Sequence, residues 1–216
     1  MTILALEFSS VQRSVAISRA GEVLAAAAET GEHGTNAFSL IENVLAAART
    51  GREEIQVLAV GLGPGSYTGI RVALAIAQGW QLARGVKLLG IGSSECLAAQ
   101  AQAEKMFGRV NVVIDAQRGE FYLAACEISA ASLEEIAPLK IVTATQVESR
   151  AGAGEILTGP EVTKWFPSGK TLFPSATMLA KLAARRTDFS AGGQLAPIYL
   201  REANFVKAPP ARVPPP

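Results

Sequence analysis

Gly63, Gly65, Ser66, Thr68 and Gly69 are the positions of this chain best suited to holding an anion. They belong to residues 61–69, which contain four glycines and a proline. A short apolar run, residues 55–60, precedes them and suits a buried strand. Residues 70–84 follow, apolar at helical spacing, and Gly85 is a C-terminal breaker. Strand, glycine-rich turn and helix point backbone N–H groups and a helix N-terminus at one spot, an arrangement favourable for an anion. No Gly-Lys-Ser/Thr follows the glycines, so this is not a Walker A loop. From Gly63 the pattern is Gly-x-Gly-x-x-x-Gly, which is not the dinucleotide fingerprint. The alternative reading is a tight turn that needs positive φ at some glycines.

Two acids end apolar strands: Glu7 in residues 2–8 and Asp115 in residues 110–115. Acids facing a cleft can hold magnesium or activate a hydroxyl. The alternative is that each accepts hydrogen bonds from its own turn. Leu4-Ala5-Leu6-Glu7, a turn and Ser14-Val15-Ala16-Ile17 parallel Val112-Val113-Ile114-Asp115, a turn and Phe121-Tyr122-Leu123-Ala124. The repeat indicates a duplicated β-β-β-α-β-α lobe. His33 is the single histidine and reads as a loop residue, since a ligand or base needs a partner. Nothing in the spacing of Ser66, His33 and Asp115 supports a hydrolase triad. Cys96 and Cys126 sit in apolar surroundings and read as inert core thiols, too few for a disulfide framework or a zinc site.

The elements that must position these groups follow from periodicity. The spacing predicts strands over residues 2–8, 14–18 and 23–28, with a hairpin turn at 19–22. A helix is expected over 36–49, capped by Thr35 and stopped by Gly51, with Phe38, Ile41 and Leu45 along one face. In the helix over 70–84, Arg71, Gln78, Gln81 and Arg84 share one sector. Ile70, Val72, Leu74, Ile76, Trp80 and Leu82 cover much of the rest. A surface helix shows one apolar stripe, so either the fold buries this helix wholly or another chain covers what remains bare. A strand over 86–91 leads to a helix capped by Ser93 or Ser94 and running to about Phe107. The second half has strands over 110–115, 120–127, 139–143 and 156–158, and a helical turn in 161–166. Residues 171–173 are extended, and a helix capped by Ser175 runs to about Arg186. The chain ends in Ala-Arg-Val-Pro-Pro-Pro, which neither pairs as a strand nor continues a helix.

At 216 residues the chain makes one large domain or two small lobes. Its net charge of +1 and lack of basic runs give no signal of strong direct nucleic-acid binding. No run reaches the roughly 18–20 apolar residues of a membrane span, and the start reads as a strand, not a secretory signal. A reducing cytoplasm is expected.

Gly63-Pro64-Gly65-Ser66-Tyr67-Thr68-Gly69-Ile70-Arg71 resembles the signature of the bacterial TsaB (YeaZ) family. Asp115-Ala116-Gln117-Arg118-Gly119-Glu120, Pro197-Ile198-Tyr199-Leu200-Arg201 and the strand-end acid with Ser9-Ser10 support the likeness. The resemblance implies an α/β fold of actin/Hsp70/sugar-kinase type: duplicated ribonuclease-H-like lobes with a shortened second lobe. The expected organisation is an N-terminal lobe over 1–107, a smaller lobe over 108–190, a return segment over 191–206 and a proline-rich tail over 207–216. The resemblance further implies a non-catalytic subunit in the synthesis of N6-threonylcarbamoyladenosine at position 37 of tRNAs reading codons that begin with A. Such a subunit pairs with the catalytic paralogue TsaD, is joined by the ATPase TsaE, forms a homodimer when alone, and meets tRNA only through the complex.

Carried onto this chain, the partner face comprises Phe38, Ile41, Leu45, Ile70, Leu74, Ala75, Ala77 and Gln78. Leu74→Glu is then expected to break pairing, or to misfold if Leu74 faces the internal sheet instead. ATP and metal belong to the partner subunits. The paralogue's metal sits on two histidines of one helix, which a chain with one histidine cannot reproduce. Family members usually carry Asp-Thr-Ser where this chain has Glu7-Phe8-Ser9. Phe8 replaces a hydroxyl with bulk, so no stably bound cofactor is expected. The competing readings are an ATP-dependent small-molecule kinase of the same superfamily, using Glu7 and Asp115, and a purely structural homodimer.

Overall fold

The computed structural model describes residues 1–31, 36–190 and 195–201. His33, Thr35 and the proline-rich tail lie outside these residues. The first half runs β1 (Thr2–Glu7), β2 (Gln12–Arg19), β3 (Glu22–Thr30), α1 (Ala37–Ala47), β4 (Val57–Gly61), α2 (Tyr67–Arg84), β5 (Lys87–Ile91) and α3 (Ser93–Ala103). The second runs β6 (Gly108–Asp115), β7 (Glu120–Ile128), β8 (Leu133–Thr143), α4 (Ala144–Gly152), β9 (Ile156–Gly159), α5 (Val162–Trp165), β10 (Lys170–Thr171) and α6 (Ala176–Ala183).

Each half builds one five-stranded sheet. The orders are β3-β2-β1-β4-β5 and β8-β7-β6-β9-β10, the same path traced twice. In both, the first three strands are antiparallel neighbours, and the fourth pairs parallel to the first. The repeat unit is therefore longer than the sequence predicts: β-β-β-α-β-α-β-α. Shortening of the second copy is concentrated in α5, which has 4 residues where α2 has 18.

Alternation along the strands sorts the core into layers. On one face of the first sheet, Leu4, Leu6, Val15, Ile17, Leu58 and Val60 pack with α1 and α2. On the other, Ile3, Ala5, Ala16, Val57, Ala59 and Leu89 pack with Ala176, Leu179, Ala180 and Ala183 of α6. The second sheet receives Leu97, Ala98 and Ala101 of α3 on one face. Val147 of α4, Val162 of α5 and the nearby Phe166 cover its other face. The last helix of each half thus lies on the sheet of the other.

Several boundaries move for local reasons. The helix expected from Ile70 begins at Tyr67, because Ser66 is its cap and accepts a hydrogen bond from Gly69 N at 3.2 Å. Gly85 ends it in the left-handed conformation, as its sequence position predicts. The cap of α3 is Gly92 rather than Ser93 or Ser94, and the helix stops at Ala103, short of Phe107. The long β8 was legible only from Leu139, because its first residues lie on an open edge and lack an apolar alternation. Sequence reasoning missed α4, although Thr143-x-x-Gln146 is a helix-start signature; Gln146 Oε1 accepts from Thr143 N at 3.0 Å.

Candidate functional site

The strand-end acids open equivalent turns in the two halves. Glu7 Oε1 accepts from Ser9 N at 2.8 Å, and Asp115 Oδ1 accepts from Gln117 N at 2.7 Å. Both bonds reach two residues ahead, so the sequence parallel extends to hydrogen bonding. The environments differ. Glu7 is fully buried, its Oε2 has no hydrogen-bond partner among the described residues, and burial raises its carboxyl pKa. Gly61 on the next strand makes room for it; a Cβ there would land on the Glu7 carboxyl. Glu7 is therefore sealed beneath the turn and accepts from it, as in the turn-capping reading, and does not face a cleft. Asp115 is half-buried and does line one.

That cleft, of about 490 Å³, runs between the halves. Ser9, Ser10, Arg13, Gly65, Ser66 and Tyr67 form one wall; Asp115, Gln117, Tyr122 and Glu161 stand on the other. Of the five loop residues singled out from the sequence, Gly65 and Ser66 reach the cleft. Gly63 and Gly69 are buried, and Thr68 is exposed. The loop's polar groups are largely spent within the chain. Ser66 N donates to Ser9 O at 2.7 Å, and Gly63 O accepts from Ser93 N at 2.7 Å. Ser93 Oγ, fully buried, donates to Ser9 Oγ at 2.8 Å.

Two of the glycines serve close approach. A Cβ at Gly65 would strike the Ser9 carbonyl oxygen, and one at Gly69 the Phe8 carbonyl oxygen. Gly65 also has φ +147, inside the glycine region. The loop thus locks the β1–β2 turn against α2. Phe8 is fully buried in the core cluster that holds Leu6 and Ile70. Its bulk goes into the core, not into the cleft. Both cysteines are buried, and burial raises each thiol, Cys126 to about 11.

The expected partner face divides. Ile41, Leu45, Ile70, Leu74 and Ala77 are buried in the chain's own core, because they lie on the sectors of α1 and α2 that face the first sheet. They have little area to give a second chain, and Leu74 is a core residue. Phe38 and Ala75 are exposed, and Gln78 is half-buried. Leu82, 89 % exposed, and Gly79 join them on the outside of α2, with Val72, Ile76 and Trp80 at the margin.

Sequence reasoning also missed a cluster at the start of α2. The Arg71 guanidinium carbon lies 3.8 Å from the Tyr67 ring centroid, and its Nε donates to Tyr199 Oη at 3.0 Å. Arg201, in the same C-terminal segment, reaches the second half: it donates to Ala116 O at 3.1 Å and pairs with Glu120 at 2.7 Å. Three of the motif pieces noted in the sequence, 63–71, 115–120 and 197–201, therefore meet at the cleft mouth.

Two copies of one sheet topology, each sheet carrying the other half's last helix and a cleft between them, define the duplicated ribonuclease-H-like fold of the actin, Hsp70 and sugar-kinase superfamily. A family profile described as "TsaD: tRNA N6-adenosine threonylcarbamoyltransferase" matches residues 20–208. The chain belongs to this family, on its TsaB (YeaZ) branch. The tRNA threonylcarbamoyladenosine biosynthesis protein TsaB of Escherichia coli is 34 % identical over 125 residues, 57 % of this chain and 54 % of that protein. Its Haemophilus influenzae namesake is 37 % identical over 129 residues, 57 % and 53 % of the two chains. The chain spans about half the length of the curated relatives it matches. The structure of YeaZ from Pseudomonas aeruginosa superposes with TM-score 0.77 at 25 % identity, covering 92 % of this chain and 99 % of that one.

Proposed function

We propose that this chain serves in the synthesis of N6-threonylcarbamoyladenosine at position 37 of tRNAs reading codons that begin with A. Its role is that of a non-catalytic subunit, pairing with a TsaD-like catalytic subunit and a TsaE-like ATPase, and with itself when alone. It acts in the cytoplasm and meets tRNA within the complex. The observation that carries this reading is the outer flank of α2. Gly79 sits there in the middle of an 18-residue helix, exposed, with open space where a side chain would go. Glycine inside a helix costs about 0.5–1 kcal/mol relative to alanine, and nothing in the packing of the described residues requires it. A bare helix flank beside Ala75 and Leu82 suits close approach of another helix, and Phe38 of α1 is also exposed. A specific contact buries about 1,600 Å² in total, which these two helices begin to supply.

The kinase reading is disfavoured by Glu7, which has no access to a substrate in the cleft. The deciding experiment is a pull-down with the TsaD-like protein of the same organism, followed by an assay for modified tRNA. Co-elution and gain of modification are expected with the wild type, and loss of both with Leu82→Glu, which leaves the core untouched. Absence of both with the wild type overturns the reading. Micromolar Mg·ATP binding with turnover of a small substrate favours the kinase instead.

A further inference from the structure

Residues 195–201 cross from one half of the molecule to the other. Leu195 is buried in the first core, in the cluster that holds Leu74, Val86 and Leu88. Gly90 of β5 leaves the space it fills, since a Cβ at Gly90 would crowd the Leu195 side chain. Three residues on, Ile198 N donates to Leu62 O at 2.9 Å, immediately before the glycine loop. Tyr199 then stacks near Tyr67, ring centroids 6.2 Å apart, and accepts from Arg71. Finally Arg201 enters the turn between β6 and β7, where its Nη2 serves Ala116 O and the Glu120 carboxylate.

The turn that receives Arg201 is one the chain does not hold cheaply. Gln117, Arg118 and Gly119 all have positive φ, at 64, 61 and 73. Two of these are side-chain-bearing residues in a region that disfavours them. Arg201 binds the carbonyl end of this turn with a charge-assisted bond, and Asp115 holds its amide side through Gln117 N. Ala116 and Gln117 also line the cleft, opposite Gly65, Ser66 and Tyr67. The same segment is thus anchored in one wall and hooked into the other.

We propose that residues 195–201 form a strap that holds the interlobe cleft closed, with Leu195 as its anchor and Arg201 as its hook. Arg201 is a positioning residue here; it acts through the turn it binds. Because Tyr199 is tied to Arg71 on an exposed part of α2, contact with that surface bears on the strap and through it on the width of the cleft. This inference concerns the isolated chain and stands whatever partner the chain has.

The test is a distance measured across the cleft. Spin labels on Thr30→Cys, next to Gly31 at the cleft, and on Glu161→Cys of the other wall, both exposed, report its width by pulsed electron paramagnetic resonance; the native cysteines are buried. The strapped protein should give one narrow distribution. Arg201→Ala should broaden it and shift it to longer distances. Amide exchange at Gln117 and Glu120 should rise about tenfold, with the sheet cores unchanged. An unchanged distribution overturns the proposal. So does a rise in exchange spread evenly over both sheets, which would make Arg201 a general stabiliser. Should Arg201→Ala not fold, Glu120→Gln removes only the charge at the hook. It should shift the distribution the same way by less, and no shift there overturns the proposal equally.

Discussion

Glu7 shows how burial decides what a carboxylate can do. Its twin in the second half, Asp115, makes the same turn bond but is only half-buried, whereas full burial raises the pKa of Glu7. The sign of the pH effect follows. A carboxyl whose pKa is higher in the folded state binds its proton more tightly there. Folding is therefore favoured most below the ordinary glutamate value of 4.5, and stability falls as pH rises from there through the raised value. Above that window the penalty is constant. Glu7→Gln keeps an oxygen to accept from Ser9 N and removes the titration. Urea midpoints of the variant should match or exceed the wild type at pH 8 and show a weaker fall between pH 5 and 8. A wild-type profile flat across that range would mean that Glu7 does not titrate as its surroundings require. The sequence placed both acids at strand ends and offered turn-capping as one reading. It could not show that Gly61 opens a sealed pocket for one of them, since that depends on which strand lies alongside.

At the scale of the element, α2 carries two faces that one sequence pattern blurred. Its apolar girth was legible, and it led to the expectation that Leu74 meets a partner. Leu74 in fact faces the first sheet, as do Ile70, Ala73 and Ala77, spaced three and four apart. The face left to solvent is the one with Ala75, Gly79 and Leu82, whose small residues give weak apolar signals in a periodicity count. Gly79 separates the two roles. Gly79→Ala should stabilise the isolated chain by about 0.5–1 kcal/mol, because the position is helical and open. The same change should weaken self-association or pairing if another helix lies against that flank, while Gly79→Arg should abolish it. Denaturant titration reads the first effect and sedimentation equilibrium the second. A variant that is more stable and pairs as well as the wild type removes Gly79 from the contact. Leu74→Glu, by contrast, should lose the fold, since it buries an unpaired carboxylate at a cost of several kcal/mol.

The duplication was visible in the sequence because strand, acid and turn repeat within a few residues. The exchange of helices was not, because it is a matter of which sheet a helix meets, and local periodicity is blind to that. α3 ends the first half yet packs on the second sheet, and α6 ends the second half yet covers the first. A cut at residue 107 therefore does not release a finished lobe. The fragment 1–107 would leave Ile3, Ala5, Ala16, Val57, Ala59 and Leu89 bare where α6 should lie. It would also carry Leu97, Ala98 and Ala101 with no sheet beneath them. Exposed apolar area costs about 25 cal/mol per Å², and native stability is only about 5–15 kcal/mol. Losing the packing on both of these surfaces is thus comparable to the whole margin. The intact chain should unfold in a single transition, with calorimetric and van't Hoff enthalpies equal, and the fragment 1–107 should lack a cooperative transition of its own. Two separate transitions in the intact chain, or a fragment that melts cooperatively as a monomer, would show that the exchanged helices add little. The strap would then be the main tie between the halves, and Arg201→Ala should separate their melting still further.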